Sequence, residues 1–346
     1  VSGYIYADAG EGESSTDLVF SAHNLIAENG ILLKETPRFS NEMICSEIDL
    51  GKLISERRRM STFESIVPES AGCRTITFQF QKIEDTALTR SFAQTPFVPQ
   101  NKADRDRRCD EILNIQAMGL KKRLTHTHCS SAAIGISGGL DSTLALLVTA
   151  KAFDMAGLDR KGILSVTMPC FGTTDRTYQN ACELTKILGA SLKEVPIHNA
   201  VNMHFQDIGH DSSVHDITYE NSQARQRTLV LMDLANKTNG MVIGTGDMSE
   251  LALGWATYNG DHMSMYGVNC SVPKTLVRYL VLYYAETTSD KKLHDILMDV
   301  LNTPVSPELL PPENGKISQK TEDIVGPYEL HDFYLYYLMR FGFTPS

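Results

Sequence analysis

Ala132-Ala-Ile-Gly-Ile-Ser-Gly-Gly-Leu-Asp-Ser-Thr143 decides the fold. Its first half is a short apolar run, the pattern of a buried strand. From Asp141 the spacing changes to that of a helix reaching Gly157, with Leu144, Leu147, Val148 and Ala152 on one face. A strand therefore turns straight into a helix through two glycines. Gly138 and Gly139 allow positive φ and a close backbone approach. The free N–H groups and dipole of a helix start favour an anion. Ser137, Ser142 and Thr143 add hydroxyl donors. Asp141 makes sense beside a phosphate if Mg²⁺ lies between them, because Mg²⁺ takes one or two carboxylates together with phosphate oxygens. A Gly-Gly turn with Asp141 as helix cap is the plainer alternative.

Strands and helices alternate downstream. Lys161–Pro169, Ser191–Ile197 and Met241–Thr245 read as strands, and Thr177–Leu188 and Tyr219–Thr238 as helices. Gly189 and Asn239-Gly240 supply the helix stops. This order predicts an α/β fold, a parallel sheet with helices on both faces, whose ligands bind at the C-terminal strand ends. Upstream the signals are β. Asp17–Ser21, Asn24–Ala27, Ile31–Lys34, Met43–Leu50 and Thr75–Gln81 are strand candidates, with a hairpin turn at Asn29-Gly30. The Pro-containing stretch around 88–105 reads as a linker.

A length of 346 residues suggests about two domains. Apolar residues make up 42% and charged residues 21%, which excludes disorder as the main state. A net charge of −10 speaks against nucleic acid and anionic lipid as partners. No apolar run is long enough for a membrane helix. The start, Val1-Ser-Gly-Tyr, lacks Met and any signal-like core, so a piece of a longer polypeptide is expected. Seven cysteines with no CxxC or Cys/His spacing predict reduced thiols in a cytoplasmic protein, without disulfides or zinc.

The Ser137-Gly-Gly-Leu-Asp-Ser142 string resembles the signature of the PP-loop ATP pyrophosphatases, which cleave ATP between the α and β phosphates and transfer AMP. It is neither a Walker A loop nor a GxGxxG fingerprint. Glu220–Thr228, Ile243-Gly-Thr-Gly-Asp-Met-Ser-Glu250, Leu253-Gly-Trp-Ala-Thr-Tyr-Asn-Gly-Asp261 and Asn269-Cys-Ser-Val-Pro-Lys-Thr-Leu-Val-Arg278 resemble the synthetase domain of the glutamine-dependent NAD synthetases. Tyr6–Ser14 and Leu25–Gly30 resemble the end of that family's nitrilase-like glutaminase domain. The resemblance implies a partial β-rich nitrilase-like segment at 1–90, a linker at 91–104 and a synthetase domain of adenine nucleotide alpha-hydrolase-like fold at 105–346.

It also implies a reaction. The carboxylate of deamido-NAD attacks the α phosphorus of ATP, pyrophosphate leaves, and ammonia displaces AMP to give the amide. Gly135, Ser137, Gly138, Gly139, Asp141, Ser142, Thr245 and Lys274 match the ATP site, with Asp141 and Lys274 in the catalytic role. Asp141 and Glu250 match the Mg²⁺ ligands. Asn221, Arg225 (or Arg227, which faces elsewhere on the helix), Glu250, Trp255, Thr257, Tyr258 and Asp261 match the deamido-NAD pocket. Segments 171–177 and 311–326 resemble loops that close over ATP. A homo-oligomer is implied as well. The family's Glu-Lys-Cys glutaminase triad and a C-terminal pocket lysine find no counterpart, so this chain is expected to use free ammonia. Cys109-Asp-Glu looks superficially like a nucleophile string but starts a helix. An inactive nucleotide-binding fragment and another PP-loop adenylating enzyme are the alternatives.

Overall fold

The computed structural model describes residues 1–10, 12–13, 17–62, 76–79, 87–260, 262–304, 306, 309–310 and 321–344. It divides into two compact units, one of Val1–Gln94 with Tyr334–Ser346 and one of Thr95–Phe333.

The first unit holds β1 (Gly3–Tyr6), β2 (Leu25–Glu28), β3 (Ile31–Glu35) and α1 (Leu50–Arg59). The strands form an antiparallel sheet in the order β1-β2-β3. The β2–β3 turn has Asn29 at φ 49° and Gly30 at φ 81°, the left-handed pair that a tight hairpin requires. Glu28 is buried and receives Arg90 through both terminal nitrogens (3.2 and 3.1 Å), Lys52 at 3.2 Å and the Asp49 N–H at 2.7 Å.

Two strand expectations fail here. Met43–Asp49 forms no strand, and Leu50 opens α1. Alternation alone does not make a strand without a partner edge. The Asp49 N–H bonds to Glu28, and the Asp49 side chain caps the helix at Lys52 N, 2.8 Å away. Asp17–Ser21 forms none over its described residues. Of Thr75–Gln81, residues 76–79 have no regular structure and the rest lie outside the described residues.

The second unit contains α2 (Lys102–Thr127), β4 (Ser131–Gly135), α3 (Leu140–Ala156), β5 (Ile163–Thr167), α4 (Asp175–Ile187), β6 (Ser191–Glu194) and α5 (His198–Ile208). It continues through α6 (Ile217–Lys237), β7 (Gly240–Gly244), α7 (Met248–Leu253), β8 (Tyr266–Gly267), α8 (Lys274–Thr287), α9 (Lys291–Leu301), α10 (Thr321–Val325) and the start of α11 (Tyr328–Phe341). The five strands are parallel, in the order β6-β5-β4-β7-β8.

Alternation along β4 feeds both faces. Ala132 and Ile134 join the large core with α2, α3, α8 and α9, while Ala133 packs with Val242 and Ala235 toward α6. The sheet is thus covered on both sides, an α/β fold. The expectation of one apolar face on α3 is too narrow: Ser142 through Ala150 are all buried. A helix made of Leu, Ala and Val can be enclosed all round, and here α2 and α8 cover what the sheet does not. From β4 the chain steps outward through β5 to β6, then returns to the other side of β4 as β7. That reversal is the switch point at which open α/β sheets leave a crevice at the C-terminal strand ends. Among the described residues, no helix is long and apolar enough to cross a membrane.

Candidate active site

The loop after β4 enters that crevice. Gly138 has φ 83°, and a Cβ there would lie 2.0 Å from the Thr177 carbonyl oxygen at the start of α4. Only glycine fits. Gly139 is the N-cap of α3 and carries no side-chain cap, so the Asp N-cap alternative does not hold; Asp141 lies within the first turn. Ser137 Oγ accepts from Gly139 N at 3.2 Å and lies 3.2 Å from Ser142 Oγ, which donates to the Gly139 carbonyl at 3.1 Å. The hydroxyls shape the loop at the N–H end of a buried helix.

The loop after β7 supplies α7. Asp247 caps it, accepting from Glu250 N at 2.8 Å, and Glu250 Oε2 answers Asp247 N at 3.5 Å. This capping box leaves Glu250 Oε1 free for Lys274, the first residue of α8. Lys274 is 4% exposed. Its Nζ lies 2.7 Å from Asp141 Oδ2, 2.8 Å from Asp247 Oδ2 and 2.8 Å from Glu250 Oε1. Three carboxylates from the ends of β4 and β7 thus converge on one ammonium, with ligand atoms within 4.8 Å of one another.

Three carboxylates outnumber one buried ammonium. Burial pushes the Asp247 carboxyl up to about 6 and Glu250 up to about 8, opposed by Lys274 and reinforced by the neighbouring carboxylates. Burial works against the charged lysine, but the three carboxylates hold its pKa well above the ordinary lysine range. Asp141 Oδ1 and Asp247 Oδ2 are buried without a hydrogen-bond partner among the described residues. Asp247 Oδ2 still lies 2.8 Å from Nζ, an ion pair without hydrogen-bond alignment. An all-oxygen donor set with spare buried lone pairs suits a hard divalent cation such as Mg²⁺.

Asn269 ties the two loops together. It is fully buried, and its Nδ2 donates to the carbonyls of Asp141 and Thr245, both at 3.0 Å. Gln116 Nε2 donates to Asn269 Oδ1 at 3.1 Å, which fixes which way the amide points.

The other expected site residues form a second group on α6 and the turn after α7. Trp255 is half-buried and its backbone N–H donates to the Glu250 carbonyl at 2.9 Å, directly after Gly254 ends α7. Arg225 Nε donates to the Tyr258 carbonyl at 3.0 Å, so this arginine holds the turn through its backbone. Thr257 accepts at its carbonyl from the His262 ring at 2.8 Å, and Tyr258 is 72% exposed. Asn221 lies one turn before Arg225 on α6. Gly135 ends β4 with Leu231 of α6 so close that a Cβ would stand 3.1 Å from it. Asp261 lies outside the described residues.

Sequence reasoning paired Asp141 with Glu250 and overlooked Asp247. Its signal was the Asp-x-x-Glu capping spacing, which conceals a second role. Asn269 stood in a quoted string without a role. In the segment 171–177, Thr174 caps α4, and Arg176 Nε reaches Asp299 of α9 at 2.9 Å. Within 311–326, residues 311–320 lie outside the described residues and Thr321–Val325 is helical.

The chain is similar to known proteins along most of its length. The family model described as NAD synthase matches residues 112–342. The glutamine-dependent NAD(+) synthetase of Mycobacterium leprae is 42% identical over 99% of this chain, which covers 52% of that protein. The chain spans about half the length of the curated relatives it matches. Among solved structures, the NMN synthetase of Francisella tularensis aligns with a TM-score of 0.55 at 23% identity, covering 69% of this chain and 88% of that one. A glutamine-dependent NAD+ synthetase of Acinetobacter baumannii, solved with ADP, aligns at 0.51 and 22% identity, covering 85% and 47%. At such identities these two structures speak for the fold.

Proposed function

The chain belongs to the NAD synthase family, and on that premise we propose that its second unit carries the ATP-dependent amidation of deamido-NAD to NAD. One observation carries the proposal. A glycine-rich helix start, three carboxylates and a buried lysine meet at the switch point of a parallel sheet.

A carboxylate is a poor acyl donor at neutral pH, so the reaction needs a leaving group. In the proposed sequence a carboxylate oxygen of deamido-NAD bonds to the α phosphorus of ATP, and the bond to the bridging oxygen breaks with release of pyrophosphate. Ammonia then adds at the acyl carbon, loses a proton, and AMP departs. The protein's work is positioning and charge stabilisation. The loop from Ser137 to Ser142 offers backbone N–H groups and hydroxyls to the phosphates. Lys274 supplies positive charge where pyrophosphate develops it negatively. Asp141, Asp247 and Glu250 would hold Mg²⁺, which when bound neutralises phosphate charge. Asn221, Arg225, Trp255, Thr257 and Tyr258 are assigned to the pyridine nucleotide, with Asp261 as a further candidate. An indole face suits stacking on a pyridine ring.

The amino-terminal unit is proposed as the end of a nitrilase-like domain, and ammonia as the nitrogen source for this chain. Incubation with ATP, Mg²⁺, deamido-NAD and ammonium or glutamine tests these assignments. NAD and AMP formed in equal amounts with ammonium, and no NAD with glutamine, support the reaction and its nitrogen source. AMP without NAD points to another acceptor, and no turnover to a fragment that only binds nucleotide.

A further inference from the structure

Lys274 is held from two directions. Its ammonium faces the carboxylates, while its backbone N–H is held by Ser249 of α7, which is itself bonded to Asp332 of α11. Tyr328 and Asp332 stand four residues apart and therefore on one face of that helix. Asp332 is 1% exposed. Its Oδ2 accepts from Thr275 N at 2.9 Å and Thr275 Oγ1 at 2.6 Å, and its Oδ1 accepts from Ser249 Oγ. Ser249 Oγ in turn accepts from Lys274 N at 2.9 Å. The Tyr328 ring centroid lies 5.3 Å from Lys274 Nζ, within cation–π range.

The bonded residues are the immediate neighbours of the cluster: Ser249 precedes Glu250, and Thr275 follows Lys274. α8 has Pro273 at its N-cap and no side-chain cap of its own. Its first-turn N–H groups need an acceptor and its dipole favours an anion. Asp332 supplies both from more than fifty residues downstream. A buried carboxylate is tolerated when its oxygens are hydrogen-bonded, and here three donors meet it. α7 and α8 are thereby joined through one side chain beneath the site.

We propose that Asp332 is a positioning residue that fixes the starts of α7 and α8, so that the Lys274 ammonium meets Asp141, Asp247 and Glu250, with the Tyr328 ring held against it. Its catalytic consequence rests on the assignment of Lys274 to the phosphates; its geometric consequence does not.

Amine acylation with an N-hydroxysuccinimide ester of acetate, read by peptide mass spectrometry on the full chain, tests the geometry. Lys274 in the wild type should label slowly. Asp332→Asn, which removes the charge from the end of α8, should raise Lys274 labelling about tenfold, the scale set by loss of a charged hydrogen-bond acceptor. Lys102, exposed on α2, should not change, and neither should Lys52 or Lys151. Thr275→Val removes only the hydroxyl bond and should raise Lys274 labelling about threefold, so the test survives if Asp332→Asn fails to fold. Unchanged Lys274 labelling in both variants overturns the proposal, as does a rise shared by Lys52 and Lys151, which marks general loosening. In the adenylation assay Asp332→Asn should lower kcat more than it raises KM for ATP, and should add no further loss in a Lys274→Met background. Selective labelling without turnover in any variant would leave the positioning role standing and remove the assigned reaction. Turnover with neither effect would do the reverse.

Discussion

A single ammonium among three carboxylates sets the residue-scale chemistry. Asp141 is the member that joins this cluster to the glycine-rich loop, because it lies in the first turn of α3. Asp141→Asn keeps the shape and removes the charge. An amide is a much weaker ligand for a hard cation, so pyrophosphate release should become undetectable while the circular dichroism spectrum stays that of the wild type. Near-normal release would sink the metal role. Asn269 makes a separate prediction. Asn269→Ala takes the donor from the Thr245 carbonyl and a second donor from the Asp141 carbonyl, which the α3 ladder also engages, at roughly 1–3 kcal/mol for a buried group left unpaired. Asn269→Asp should be worse, since it sets a buried carboxylate against two carbonyl oxygens. Urea unfolding measures both, and equal stability of Asn269→Asp and the wild type would contradict the clasp. Asp141 and Glu250 were legible in the sequence because each stands in a local string. Asn269, Asp332 and the burial of Lys274 were not, because their partners lie on other elements and spacing along a chain says nothing of distance across a crevice.

At the scale of elements, the alternation of strands and helices was readable because the central parallel strands are short apolar runs and the helices between them end at glycines. The failures fall where periodicity lacks a partner. Met43–Asp49 alternates as a strand would, yet its end caps α1 instead. α7 shows how one element serves two purposes. Its capping box orients the same carboxylates that meet Lys274, so helix stability and site charge are coupled. Burial raises both Asp247 and Glu250, to about 6 and about 8. A carboxyl raised in the folded state binds more protons there than in the unfolded chain. Its contribution to stability is therefore complete below the unfolded values and is lost as pH rises through the folded ones. Lys274, raised further, stays charged throughout that window. Melting temperature in the presence of a chelator should thus fall from about pH 5 to about pH 8.5, more gently in Glu250→Gln. Added Mg²⁺ should raise it most at the alkaline end, because deprotonated carboxylates are the ligands. A melting temperature that rises with pH under chelation would show that the cluster is ionised without cost.

At the scale of the whole molecule the question is the source of nitrogen. Releasing ammonia from glutamine requires an activated thiolate with a base beside it. Cys109 and Cys170 offer a poor setting. Cys109 is 1% exposed on α2, and burial pushes its thiol up to about 11. Burial raises Cys170 as well. Cys73 lies outside the described residues, and Cys45 is an exposed residue of the first unit. The second unit, in contrast, carries the glycine-rich loop, the carboxylates and Lys274 within Thr95–Phe333. This chain should therefore form NAD with ammonium salts and not with glutamine. Ammonium must lose a proton before its nitrogen can attack a carbonyl. The rate at fixed total ammonium should climb with pH across the neutral range, about tenfold per pH unit well below the ammonium pKa while ammonia is limiting. The assay compares ammonium chloride and glutamine at pH steps, with AMP release as a check on adenylation. Glutamine-dependent NAD formation by this chain alone would reveal a nucleophile in it. A pH-independent rate with ammonium would mean that adenylation or product release, and not attack by ammonia, limits turnover.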